Sequence, residues 1–78
     1  MDNLLDRITI SPQICNGQPT IRDMRITVKT MLDYLAAGET FDNILGAYPQ
    51  LEREDIQACL HFAARALERK IQAFELAS

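Results

Sequence analysis

Residues 27–49, TVKTMLDYLAAGETFDNILGAYP, decide the fold because they carry two short helical patterns separated by a glycine. In the first pattern, apolar side chains have the i, i+3, i+4, i+7 spacing of a buried helix face, at Val28, Met31, Leu32 and Leu35. The second pattern has the same signature at Phe41, Ile44, Leu45 and Tyr48. Thr27 and Thr40 are suited to cap the helix starts. Gly38 ends the first helix and Pro49 ends the second. A turn of about three residues joins the two helices.

A longer helical pattern follows, beginning near Glu52 and reaching about residue 75. Its apolar positions are predicted on one side, at Ile56, Cys59, Leu60, Ala63, Leu67, Ile71 and Phe74. Such a helix is about 35 Å long, which exceeds the reach of two short helices beside it. The last apolar positions therefore need another partner, which is a second copy, the N-terminal strands or a different protein.

The segment before the helices predicts a short β element. RITIS (7–11) alternates apolar and polar side chains, as a half-buried strand does. In the stretch that follows, the apolar positions change parity between Ile21 and Met24, so one unbroken strand cannot bury them all. A tight turn or a bulge near Asp23 would shift the register and push Arg22 outward, after which MRI resumes pairing.

These elements predict a mainly α fold in a single domain, residues 1–78. Three helices joined by tight turns form a helix-turn-helix core with a long C-terminal helix at 28–75. The short β element and its turn precede this core at 1–27.

Composition indicates a folded chain that associates. Of the 78 residues, 47% are hydrophobic and 24% are charged, which is too apolar for a disordered tail. A core of this size is marginal alone, so we expect a homodimer. The sequence has no apolar run that could cross a bilayer and no secretion signal. We therefore expect a cytoplasmic protein that does not associate with a membrane.

Catalytic and metal chemistry are not indicated. Cys15 and Cys59 form no metal-ligand doublet, so we interpret both as reduced thiols without zinc. The acids Glu52, Glu54 and Asp55 are accompanied by no nucleophile and no glycine-rich phosphate loop. We expect no enzyme activity, no catalytic residue and no cofactor.

The sequence from ITISPQ (8–13) to CLHFA (59–63) closely resembles the family called domain of unknown function 433. Its members read approximately G-x-P-x-I-R-G-T-R-I-P-V, then L-A-x-G, then E-I-L-x-x-Y-P-x-L-x-x-x-D-I-x-A-A-L. The matching residues are Gly17, Pro19, Ile21, Arg22, Arg25, Ile26, Val28, Gly38, Ile44, Leu45, Tyr48, Pro49, Leu51, Asp55, Ile56, Ala58 and Leu60. The resemblance implies a homeodomain-like or winged-helix fold. It also implies membership in a group proposed as antitoxins of bacterial toxin–antitoxin pairs, often beside a PIN-like ribonuclease.

This sequence departs from the family pattern at the bend. Asp23 and Met24 stand where the family has Gly-Thr, and Thr27 stands where it has proline. Glycine permits a positive φ that aspartate tolerates less well, so the departure leaves the turn type open.

The distribution of charge gives mixed support for DNA binding. The formal net charge is −3, and residues 31–55 carry one base against six acids, which argues against indiscriminate binding to phosphates. Arg22 and Arg25 on a β wing could straddle a phosphate, a task that suits the guanidinium fork. The alternative is a solvated bend, where either arginine pairs with Asp23 or with an acid from 31–55.

The start of the third helix supplies two further candidates. Arg53 and Gln57 are the residues predicted to reach base edges if this is a recognition helix. The acids around them would meet phosphates at close range, so the alternative is that they complement the positive end of the helix.

The last turns of the third helix, ALERKIQAFELAS (66–78), suit recognition of a protein groove. The predicted partner-binding residues are Leu67, Arg69, Lys70, Ile71 and Phe74. The carboxylates of a PIN-like nuclease would attract the two basic side chains, and the tail would then block its active site. The same apolar positions could instead belong wholly to the homodimer.

Together these features predict a non-enzymatic antitoxin-like regulator. It would neutralise a PIN-like ribonuclease and bind its own operator DNA as a dimer. The alternative is a protein-only adaptor that never contacts DNA, which the acidic centre of the chain favours.

Overall fold

The computed structural model describes the backbone of residues 3–77 and the side chains of residues 3–68. Its elements are two 3₁₀ helices (Leu4–Arg7 and Cys15–Gly17), strand β1 (Ile8–Thr9), strand β2 (Thr20–Ile21), and helices α1 (Val28–Ala36), α2 (Phe41–Ala47) and α3 (Arg53–Ala77). The predicted fold class is confirmed, since the chain forms three helices with a short two-stranded sheet near its N-terminus.

Threonine caps fix the starts of the two short helices, as the sequence predicts. Thr27 Oγ1 accepts a hydrogen bond from the backbone N–H of Thr30 at 3.1 Å. Thr40 Oγ1 accepts the equivalent bond from Asn43 at 3.1 Å. Gly38 follows α1 with a φ of 94°, a conformation that glycine adopts without a steric penalty. The boundaries of α1 and α2 therefore follow from local chemistry.

The β element is shorter than predicted. β1 pairs antiparallel with β2, with Ile8 opposite Ile21. The expected strand over 7–11 is wrong at both ends, because Arg7 closes a 3₁₀ helix and pairing stops after Thr9. MRI forms no strand either. Pairing with β2 is limited to a backbone hydrogen bond from the N–H of Ile21 to the carbonyl of Ile26 at 3.0 Å and an isolated bridge between Thr27 and Thr20.

A tight turn accounts for the change of parity after β2. Arg22 and Asp23 have φ angles of 45° and 58°, and the N–H of Met24 donates to the carbonyl of Ile21 at 2.8 Å. The N–H of Asp23 donates to Thr9 Oγ1 at 2.9 Å, which attaches the turn to β1. The structure thus adopts the turn rather than the bulge.

The core lies between the β element, α1, α2 and the first half of α3. Its buried residues are Ile21, Ile26, Val28, Met31, Ile44, Leu51, Ile56, Ala58 and Cys59. Of the apolar stripe predicted on α3, Ile56 and Cys59 are buried, whereas Leu60 is 42% exposed and departs from the prediction. Leu67, one of the positions predicted to need another partner, is 52% exposed.

Candidate functional site

A buried carboxylate lies at the junction of the β element and α3. Asp55, in the first turn of α3, is fully buried. Arg22 donates two hydrogen bonds to this carboxylate, from Nε to Oδ1 at 3.0 Å and from Nη2 to Oδ2 at 2.7 Å. Arg7 donates a third bond from Nη1 to Oδ1 at 3.0 Å. Arg7 immediately precedes β1 and Arg22 immediately follows β2, so both arginines lie at the same end of the antiparallel sheet. The N–H of Arg22 donates to the carbonyl of Arg7 at 2.8 Å there, and the carboxylate joins this end of the sheet to the helix.

Backbone groups complete this ion-pair network. The N–H of Glu52 donates to Asp55 Oδ2 at 2.8 Å, as in the reciprocal cap of a helix start. Arg22 Nη2 also donates to the carbonyl of Gln50 at 3.0 Å. Arg7 Nη1 lies 2.6 Å from the Glu52 carboxylate. The turn before α3 is therefore held on the N-terminal segment by charge-assisted hydrogen bonds.

The network keeps its members ionised. Burial alone would raise the pKa of Asp55, but hydrogen bonds from Arg22, the Glu52 backbone and Arg7 outweigh burial and lower it. The bond to Asp55 raises the pKa of Arg22. Bonds to Glu52 and Asp55 raise the pKa of Arg7. Asp55 is therefore an anion that holds the β element on the start of α3.

The two arginines of the bend, Arg22 and Arg25, have different surroundings. Arg22 pairs with Asp55, an acid of the segment 31–55, which was one of the two alternatives open from the sequence. Arg25 is exposed, and no ion pair holds it among the described side chains. The structure does not bring the two together as a clamp, and phosphate contact stays a prediction.

The two candidates on α3 also differ. Arg53 Nη2 lies 2.8 Å from Asp42 Oδ1, and its guanidinium group sits 5.3 Å from the centroid of the Phe41 ring. Gln57 is exposed on the next turn of the helix. The Arg53 guanidinium thus ties α3 to α2, and contact with bases stays a prediction for both residues.

An apolar groove of about 340 Å³ runs between α1 and α3. Its apolar walls are Pro19, Val28, Leu32, Phe62, Ala63, Ala66 and Leu67, and Gln18 and Lys29 lie at its rim. The predicted partner residue Leu67 is one of these walls. The other four, Arg69, Lys70, Ile71 and Phe74, lie outside the side chains that the structure describes. We call this surface the α1–α3 groove.

Sequence reasoning missed Arg7, the network role of Asp55 and most of the groove. The three-residue spacing of Glu52 and Asp55 at a helix start was a usable signal, since a side chain there can reach back to the preceding N–H. Phe62 and Ala66 fall off the predicted apolar stripe, and nothing in α3 alone indicates which of its sides α1 covers.

Both cysteines are free thiols in the structure. Burial, and secondarily the charge of Asp55, raises the pKa of Cys59 to about 12, so this thiol is protonated and unreactive at neutral pH. Within residues 3–68, no three His, Cys, Asp or Glu side chains are grouped to hold a metal ion. No helix in the described part of the chain is both long and apolar enough to span a bilayer.

The fold and the network define a small, mainly α domain whose β element is bound to the start of a long helix. Comparison with known families places the chain in the DUF433 family, described as "Protein of unknown function (DUF433)", whose model matches residues 8–63. The chain belongs to this family.

Two similar proteins agree with this membership. The uncharacterized protein y4eO of Sinorhizobium fredii (strain NBRC 101917 / NGR234) is 32% identical over 68 residues, which cover 86% of this chain. This chain spans only 31% of y4eO. The crystal structure of a DUF433 member protein from Anabaena variabilis ATCC 29413 is 35% identical, with a TM-score of 0.75. That match covers 92% of this chain and 69% of the other.

Proposed function

We propose that this chain is a non-enzymatic, antitoxin-like regulator that holds a partner protein in the α1–α3 groove. The observation that carries the proposal is the groove itself, which is open, almost wholly apolar and about 340 Å³ in volume. Concave apolar surfaces of this kind are typical of interaction sites. The class of partner, a PIN-like ribonuclease, comes from the family resemblance.

The occupant that fits the groove best is an apolar face of a partner helix. Six of the seven apolar wall residues belong to α1 and α3, so a third helix can lie between these two with its apolar side chains inward. Lys29 lies at the rim, with its side chain 76% exposed. An acidic edge on the partner helix would complement this lysine, although Asp33 already screens it at 2.8 Å.

Operator binding by a dimer is the second part of the proposal. The succession of α2, a short turn and α3 supports it, since a homeodomain-like module presents its last helix to DNA in this way. Arg25 and Gln57 are the exposed candidates for that contact.

The ion pairs favour the protein-only adaptor as the alternative. Arg22 and Arg53 are engaged within the chain, while Glu52 and Glu54 are exposed at the start of α3. These acids would face phosphates if α3 entered a groove of DNA. Contact with a protein is therefore the part of the function that the geometry supports best.

Ala66→Glu tests the groove, because Ala66 is an exposed wall residue and its replacement removes no core packing. The assay follows cleavage of a fluorescent single-stranded RNA by a purified PIN-like ribonuclease. We expect the unmodified chain to inhibit the nuclease and Ala66→Glu to weaken inhibition by about tenfold or more, since a charge in an apolar contact is costly.

Ala36→Glu is the matched control, since Ala36 is also an exposed helical alanine but lies outside the groove. It should inhibit like the unmodified chain, and thermal melts verify that both variants fold. Equal inhibition by folded Ala66→Glu would refute the groove as the contact. Failure of the unmodified chain to inhibit would refute the antitoxin-like function.

A further inference from the structure

We propose that a second copy of this chain docks along the outer side of α3. The contact is a line of Leu60, Ala64 and Leu67, continued in the sequence by Ile71 and Phe74. We call this line the α3 seam. It is a different surface from the α1–α3 groove, and only Leu67 belongs to both.

The spacing of the seam is that of helices packed along one another. Its positions follow each other at intervals of four, three, four and three residues. This alternation averages 3.5 residues and keeps one line of side chains facing a neighbouring helix over several turns. An apolar line with this repeat indicates a long helical partner and not a globular core.

The described part of the seam lies outside the chain's own core. Leu60 is 42% exposed and Leu67 is 52% exposed, and Ala64 between them is exposed as well. Ile56 and Cys59, on the adjoining side of the same helix, are fully buried. α3 therefore has two apolar sides, of which the core covers one.

Length supports another α3 as the partner. The seam extends over about 21 Å of helix from residue 60 to residue 74. α1 has nine residues and α2 has seven, and both are packed in the core. A second α3, with 25 residues, is long enough to follow the whole seam and carries the same repeat.

Charge in the sequence is consistent with this pairing. In the heptad register of the seam, Lys70 immediately precedes position 71 and Glu75 immediately follows position 74. In a parallel pair of helices these two flanking positions of opposite charge stand across from each other. A domain of 78 residues also gains buried area from association that its own core does not supply.

Analytical ultracentrifugation of the full chain tests the proposal. At high micromolar concentration we expect a species of twice 8.8 kDa. The double variant Leu60→Glu/Ala64→Glu should raise the dissociation constant of the dimer at least tenfold, because it places four charges in the contact. Both positions are exposed in one copy, so the variant should keep its fold, which circular dichroism verifies.

Two further variants make the result specific. Ala64→Leu should tighten the dimer, because a larger apolar residue fills the contact between the helices. Ala66→Glu, which lies in the groove, should leave the dimer unchanged even if it abolishes nuclease inhibition. A monomer of 8.8 kDa for the unmodified chain, or a dimer unaffected by the double variant, would overturn the proposal.

Discussion

Arg22 uses its guanidinium group inside the molecule, although 40% of its side chain is exposed. The paired bonds to Asp55 need a planar fork with two donors, which lysine does not have. A fully buried carboxylate without such partners would be strongly unfavourable. At the scale of single residues, Arg22 and Asp55 are therefore required by the fold, whereas Arg25 is available for contact with other molecules.

Asp55→Asn should lower the free energy of unfolding by about 2–3 kcal/mol, measured by urea denaturation at neutral pH. The amide keeps the shape of the side chain but removes the charge that Arg7 and Arg22 share. The loss is smaller than for a fully buried pair because both arginines are partly exposed. Glu54→Gln, at an exposed acid of the same turn, is the control and should change stability by less than about 0.5 kcal/mol.

The contribution of Asp55 to the free energy of unfolding should depend on pH, and Asp55→Asn tests this. The folded pKa of Asp55 lies below its ordinary value of 3.8, so its contribution is fully present above about pH 4. It is lost as the pH falls through the lowered folded pKa, because the protonated acid then resembles asparagine. The difference in unfolding free energy between the unmodified chain and Asp55→Asn should therefore shrink in strong acid. A difference that stays constant on acidification would contradict this assignment.

At the scale of elements, the turn after β2 holds two non-glycine residues in the left-handed region. Arg22 and Asp23 both have positive φ, which costs about 1–2 kcal/mol per residue for side chains with a Cβ. The hydrogen bond from Asp23 to Thr9 and the ion pair of Arg22 with Asp55 offset this cost. The turn is therefore stabilised by its neighbours and not by its own sequence.

Asp23→Gly should raise the free energy of unfolding by about 0.5–1 kcal/mol, because glycine adopts the φ of 58° without strain. The backbone N–H that donates to Thr9 is kept. Chemical denaturation measures the change. Gly38→Ala, at a φ of 94°, is the converse control and should lower stability by about 1 kcal/mol. Destabilisation by Asp23→Gly would show that the aspartate side chain supports the turn.

The bounds of α1 and α2 were predictable, whereas the β element was predictable in its presence but not in the extent of its strands, for a physical reason. Thr27, Thr40 and Gly38 act on backbone groups within a few residues, so a sequence pattern suffices to place α1 and α2. Strands of two residues depend on contacts with distant parts of the chain. Sequence reasoning named Leu67 as a partner-binding residue but did not predict the groove that it lines. The side of α3 that α1 covers is decided by tertiary packing.

At the scale of the whole molecule, charge opposes unspecific contact with DNA. The net charge is −3, and two of the four predicted DNA-contacting residues, Arg22 and Arg53, are in internal ion pairs. Unspecific affinity arises from neutralised phosphates, and these two ion pairs reduce the basic surface that residues 3–68 offer to DNA. Any operator contact must therefore depend on shape and on few side chains.

We expect fluorescence anisotropy to show a dissociation constant above about 100 µM for a random-sequence duplex at physiological salt. The double variant Glu54→Lys/Gln57→Lys changes two exposed positions of α3 and should bind the same duplex more tightly, with a steeper salt dependence. Micromolar binding by the unmodified chain would contradict this interpretation of its charge.

The ion-pair network also has a kinetic consequence. Its carboxylate is separated from the two arginines by 48 and 33 residues of chain, whereas α1 and α2 adjoin each other. Adjacent helices meet early in refolding, and long loops close later at an entropic cost. We expect the network to form after the rate-limiting barrier, so that it slows opening and hardly affects the speed of folding. The contacts of the N-terminal segment with α3 then determine the rate at which the folded molecule opens. When cleavage is faster than reclosing, this opening rate sets the lifetime of the chain in the presence of a protease.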